Sequence, residues 1–219
     1  MGTAVSCDSE YLNSICAKRI DKWRQCIKAM APLADPQLEA LLLRSCIGAS
    51  KMVYLLRCLP PQLISDSINT MEDVLLNTLR SIIVGDGPGF GDFQFNLATL
   101  PSSFSGLGIY NPADISYFAF IASMQATKSL QDGIIGCGSE LPTEFTESRQ
   151  RFLGYLNKEN IELPHFNQTT LATLFYETKR SKLLSSEYIT SQPLPLQQRF
   201  MAILDSVKQR WAFSYLCYS

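Results

Sequence analysis

Three successive stretches near the start of the chain place an apolar residue every three or four positions, and that spacing constrains the fold more than any other feature. Between Asp8 and Met30, the residues Leu12, Ile15, Cys16, Ile20, Trp23, Ile27 and Met30 gather on one arc, while Lys18, Asp21, Lys22, Arg24 and Lys28 fall on the opposite one. A period near 3.6 with charge kept to one side predicts an amphipathic helix with a basic outer face. Pro32 closes it. Asp35-Pro36 then supplies an N-cap followed by proline at the first helical position, predicting a helix through about Cys58. Apolar nearly all round, that second helix is expected to sit centrally. Pro60-Pro61 stop it, and from Gln62 to Val84 helical spacing resumes through Ile64, Ile68, Met71, Leu75, Leu79 and Ile82. Three helices with short connections predict an α-helical bundle.

The segment from Gly85 to Tyr110 holds six of the twelve glycines and carries Phe90, Phe93, Phe95 and Phe104, which predicts a structured loop packed on the bundle. Asn111-Pro112 repeats the cap-plus-proline start, and Ile115, Phe118, Ile121, Ala122 and Met124 predict a buried helix to Gln131, ended by Gly133, Gly136 and Gly138. After Pro142, helical patterns at about 145–158, 168–185 (capped by Asn167) and 196–216 are separated by polar or proline-containing stretches. The expected fold is therefore mainly α: a thumb-like multi-helix bundle over 1–135 with a Gly/Phe-rich structured loop, then a second, looser helical subdomain over 136–219.

Composition narrows the function. With 19 Lys+Arg against 20 Asp+Glu and 46% hydrophobic residues in 219, the chain reads as globular and is not a strongly basic nucleic-acid binder, although a local basic face remains open. Seven cysteines, an odd number, with no secretory signal before them point to a reduced, intracellular setting in the cytoplasm or nucleus. The apolar stretch 38–59 is cut by Glu39, Arg44, Lys51 and Arg57, so no transmembrane segment is expected.

Sites for chemistry are scarce. GDGPGFG (85–91) alternates glycines, but Phe90 and Asp92 stand where a G-x-G-x-x-G phosphate loop needs glycine, and a turn packing Phe90 and Phe93 inward is the expectation. No two cysteines are spaced as C-x-x-C, so the thiols read as small core residues and no metal site is expected. The single histidine, His165, lies in a loop, and Glu72-Asp73 reads as a solvated helix face. No catalytic residue, cofactor or small-molecule substrate is identified.

Two features remain. Arg44, Gly48 and Lys51 fall at i, i+4 and i+7 of the second predicted helix, where two cations flanking a residue without a side chain would let a nucleic-acid backbone approach. Lys18, Lys22, Arg24 and Lys28 would add phosphate contacts, while two ordinary solvated stripes are the plainer reading. The other feature is Met1-Gly2-Thr3-Ala4-Val5-Ser6, which satisfies the M-G-x-x-x-[ST] pattern for myristoylation at Gly2, with Cys7 available for palmitoylation. That alternative makes the chain an acylated helical interaction module at a membrane surface.

Four strings taken in order, LLLRSCIGASKMVYLLR (41–57), CLPPQL (58–63), GPGFGDFQFNLATLP (87–101) and SGLGIYNPADISYFAFIASMQ (105–125), resemble the region downstream of the polymerase palm in reverse-transcriptase-like proteins of plant non-LTR retrotransposons. The resemblance is close over about residues 1–135. In that family a Leu-Gly-x-x-Val-Gly turn introduces the helical thumb, and Met1 to Ser6 occupy the equivalent place.

What the resemblance implies is a thumb-and-connection region packing on a template–primer duplex through its backbone. Arg44 and Lys51 match the family string. The first helix's cations do not match by position and rest on helical geometry alone. The family's aromatic-x-Asp-Asp turn would precede residue 1, and no Asp-Asp pair occurs in this sequence, so the chain is expected to be a non-catalytic fragment whose partners are an RNA or DNA duplex and a palm domain outside it. Ser105 stands where the family has the first glycine of a Gly-Gly-Leu-Gly turn. A thumb without its palm is expected to expose apolar surface.

Overall fold

The computed structural model describes residues 6, 8–85, 87, 89–135, 142–157 and 167–205. Among them the regular structure is helical throughout, as expected for a mainly α fold: α1 (Ser9–Lys28), α2 (Pro36–Leu42), α3 (Val53–Cys58), α4 (Ser65–Val84), α5 (Asp92–Ala98), α6 (Pro112–Ser116), α7 (Ala119–Ile135), α8 (Thr143–Leu156), α9 (Gln168–Leu184), α10 (Glu187–Thr190) and α11 (Leu194–Asp205). The chain forms two compact units, one of Met1–Trp23, Lys51–Glu72 and Pro112–Phe175, the other of Arg24–Ser50, Asp73–Asn111 and Tyr176–Ser219. Helices α1, α4 and α9 each contribute residues to both.

In the first unit α3 packs on α6 and α7, and α7 on α8. Leu12, Cys16, Ile20 and Trp23 of α1 are buried, with Ile68 and Met71 of α4, Phe145 and Phe152 of α8, and Phe175 of α9. Each such side chain, fully removed from water, contributes about 1.5–3 kcal/mol. A polar cluster fixes α1 against the start of α4: Asn13 Nδ2 donates to the carbonyls of Ser9 and Leu63, both at 2.9 Å, and the Ser67 hydroxyl donates to Asn13 Oδ1. Gln62 Nε2 donates to Ser148 Oγ of α8 at 3.0 Å.

In the second unit Leu75, Leu79 and Ile82 of α4 are buried, as are Phe90, Phe93, Phe95, Leu97 and Leu100. Arg80 Nη2 donates to the Phe90 carbonyl at 3.1 Å, and Phe93 stacks on Tyr188 with centroids 4.4 Å apart. The buried Lys179 donates to Thr99 Oγ1 at 3.1 Å.

Several expected elements are present. Asp35 Oδ1 accepts from the N–H groups of Gln37 and Leu38, so the predicted cap starts α2. Asn167 Oδ1 accepts from the Thr170 N–H at the start of α9. Phe90 and Phe93 are buried as expected of the glycine-rich turn.

Other expectations are corrected. The continuous helix to Cys58 breaks: α2 passes into a π-helical turn at Leu43–Ile47, Gly48 leaves the helix with ψ −149°, a 3₁₀ turn spans Ala49–Lys51, and α3 restarts at Val53. Glycine is the weakest helix former after proline, and here it releases the chain. α2 buries none of its residues, so it is not central. The Gly/Phe-rich segment is not all loop, because α5 forms inside it with Gln94 Oε1 accepting from the Gly91 N–H. The helix predicted from Pro112 divides at Tyr117–Phe118, and α7 runs through Gly133 to Ile135. Of the described thiols only Cys16 is buried, while Cys26, Cys46 and Cys58 are exposed, so they are not core residues.

Ser105 has φ 67°, ψ 16°, a left-handed backbone that glycine adopts without cost. The following turn is held by Gly106 N–H to the Pro101 carbonyl and Leu107 N–H to the Ala98 carbonyl, both at 3.1 Å.

Candidate nucleic-acid interface

The separation of faces on α1 positions the candidate cations. Because Leu12, Cys16, Ile20 and Trp23 commit one arc to the interior, Lys18, Lys22, Arg24 and Lys28 are driven to the outside, and all four are exposed. Lys18 and Lys22 stand one turn apart, about 6 Å along the axis, and Arg24 and Lys28 repeat that spacing further on. Lys28, in the last turn, also sits favourably against the negative end of the helix dipole. Asp21 shares the outer face. Arg19, Asp21 and Arg24 already engage other groups, whereas among the described residues no hydrogen bond or ion pair takes up Lys18, Lys22 or Lys28.

The second candidate group is not a helical face. Arg44 lies on the π-helical turn and is exposed, Lys51 closes the 3₁₀ turn and is exposed, and the break at Gly48 between them removes the i, i+4, i+7 geometry. Gly48 is buried, and a Cβ there would overlap the Leu43 carbonyl oxygen, so its missing side chain makes room for the chain's own backbone and not for a nucleic acid. Arg44 lays its guanidinium against Gly108, where φ is 71° and an added Cβ would stand 3.2 Å from Nε.

Gly2, Cys7 and His165 lie outside the described residues. Among the described residues no three His, Cys, Asp or Glu side chains are grouped to hold a metal ion, and no helix is long and apolar enough to cross a membrane. Leu33, Leu38 and Leu41, in and just before α2, are 46%, 47% and 57% exposed.

Sequence reading missed a cluster in the first unit. Arg151 of α8 places its guanidinium over the ring of Tyr117, in the turn between α6 and α7, and Tyr155 and Phe175 lie against that ring with centroids 5.0 and 5.2 Å away. Burial, then the charge of Asp114 and the neighbouring Tyr117, push the Tyr155 hydroxyl well above the ordinary tyrosine range. The only trace in the sequence is that Arg151 and Tyr155 fall one turn apart on a helix.

No family model, curated protein or solved structure matches the chain.

Proposed function

We propose that this chain is a non-catalytic, thumb-like helical region of a reverse-transcriptase-like protein, and that it holds a nucleic-acid duplex by its phosphate backbone through α1. One observation carries the binding part: α1 buries an apolar arc and turns Lys18, Lys22, Arg24 and Lys28 to solvent, with Lys18, Lys22 and Lys28 unoccupied among the described residues. Flexible point charges spaced along a rod suit phosphates, which fix position without reading sequence.

Two further observations support the family reading. Ser105 adopts the left-handed backbone at the place where the family carries glycine. Leu33, Leu38 and Leu41 supply exposed apolar surface of the kind a palm domain would cover. The reading assigns no polymerase chemistry to this chain, which lacks an Asp-Asp pair, and no metal or cofactor to its residues. In this reading the protein works in the cytoplasm or nucleus, with its thiols reduced.

The test is binding of a blunt-ended duplex across a salt series. Wild type is expected to bind with an affinity that falls as salt rises, and Lys18→Ala with Lys22→Ala to reduce the log–log slope by about 2, one for each phosphate contact removed. Absence of binding at about 50 mM salt, or a slope unchanged in the double variant, overturns the α1 interface.

A further inference from the structure

Arg151 is exposed, and its guanidinium carbon lies 4.2 Å from the centroid of the Tyr117 ring. The ladder continues inward, with Tyr117 and Tyr155 centroids 5.0 Å apart and Tyr155 stacked on Phe175 at 4.4 Å and 15°. Phe175 in turn meets Phe118 at 5.8 Å, and both are buried, so the inner end of the ladder is fixed. All five residues belong to the first compact unit.

The outer end is unfinished. Among the described residues no hydrogen bond or ion pair takes the N–H groups of Arg151, and Glu147, one turn earlier on α8, makes no ion pair with it. Covering an apolar cluster requires only the methylene stem of an arginine. Here the guanidinium of an exposed arginine itself lies over a ring. A guanidinium is delocalised and weakly hydrated, and a flat one presents a surface on which a second π-system can stack. Nucleobases exposed in single strands are bound in this way, on aromatic rings and on arginine planes.

We propose that Arg151, held over the Tyr117 ring, is a stacking contact for an unpaired base of single-stranded nucleic acid. This deepens the nucleic-acid reading given above and rests on it, because it adds a site for bases to a surface for phosphates.

The experiment measures fluorescence anisotropy of an unstructured single-stranded RNA and, separately, of a blunt duplex, with wild type, Arg151→Lys and Tyr117→Leu. Arg151→Lys keeps the charge and, at an exposed position, the fold; thermal melting verifies the latter. The lysine variant is expected to bind the single strand on the order of tenfold more weakly, which is what one lost base stack costs, with duplex affinity unchanged. Tyr117→Leu is expected to have the same selective effect by removing the support. Single-strand binding that survives Arg151→Lys overturns the proposal, as does wild type that binds the duplex but not the single strand. A selective loss in Arg151→Lys without duplex binding upholds the stacking site and overturns the α1 duplex interface. Binding of neither probe overturns both.

Discussion

Gly48 lies so close to the carbonyl oxygen of Leu43 that no side chain fits between them. The π-helical turn at Leu43–Ile47 brings that oxygen round, and the obstacle is backbone, which cannot swing aside as a side-chain tip can. Gly48→Ala is therefore expected to destabilise the fold by about 2–4 kcal/mol, in the range of severe overpacking and backbone strain. The measurement is the urea midpoint, and an unchanged midpoint would show that the turn relaxes freely.

Ala34 presents the opposite case. It ends the 3₁₀ turn Ala31–Leu33 with φ 48° and ψ 31°, a left-handed conformation in an exposed residue. The cost of placing a Cβ there is of order 1 kcal/mol and is relieved by glycine, partly offset by the greater freedom of the unfolded chain. Ala34→Gly is expected to leave stability unchanged or raise it by up to about 1 kcal/mol, whereas a loss of more than 1 kcal/mol on denaturant unfolding refutes this account.

The polar link between α1 and the start of α4 gives a third test. Asn13→Ala removes one group that serves the Leu63 carbonyl and the buried Ser67 hydroxyl together. The Leu63 carbonyl keeps the Ser9 hydroxyl, which donates to it at 2.7 Å, and the Ser67 hydroxyl keeps its contact with the Cys16 thiol, so the cost is that of lost hydrogen bonds, about 0.5–1.5 kcal/mol each. A double-mutant cycle with Ser67→Ala is expected to be non-additive, since the two side chains are hydrogen-bonded to each other.

Thiol chemistry separates the described cysteines. Cys26, Cys46 and Cys58 are exposed and are expected to react with a maleimide in the native protein, whereas Cys16 reacts only on unfolding. Burial raises the Cys16 thiol above its ordinary value of 9.0, against smaller lowering effects from the Ser67 hydrogen bond and Arg19. A raised folded value means that the native state keeps its proton longer than the unfolded one. The contribution is thus complete below the unfolded value and is lost as pH climbs past it. The urea midpoint is expected to hold from pH 7 to 8 and to fall above about pH 9, and Cys16→Ala to flatten the first part of that fall. Tyr155, raised for the same leading reason, acts in the same sense at higher pH.

The helices were legible wherever a local signal sufficed. Asp35 and Asn167 announce their helices because a cap is a contact over two or three residues. The break at Gly48 was not legible, because the apolar spacing on either side continues as though the helix did, and the crowding that forbids it arises only once Leu43 has turned its carbonyl round. α5 was hidden by the glycines around it. Cys26 could have been placed correctly: ten residues of helix turn through about 1,000°, which moves it well off the arc of Cys16. The cations of α1 were legible from amphipathic spacing. Arg151 on Tyr117 was not, since those residues meet only through the packing of α6, α7 and α8.

Helices α1, α4 and α9 each pass from one compact unit to the other without a break, between Trp23 and Arg24, Glu72 and Asp73, and Phe175 and Tyr176. Each unit is consequently written in three separate lengths of the gene. Recombination cannot transplant either one in a single exchange, because any continuous stretch that holds the whole of one unit also holds part of the other. Heredity can move this architecture only as the whole interleaved set, so its evolution is expected to proceed by substitution within the helices rather than by shuffling of parts.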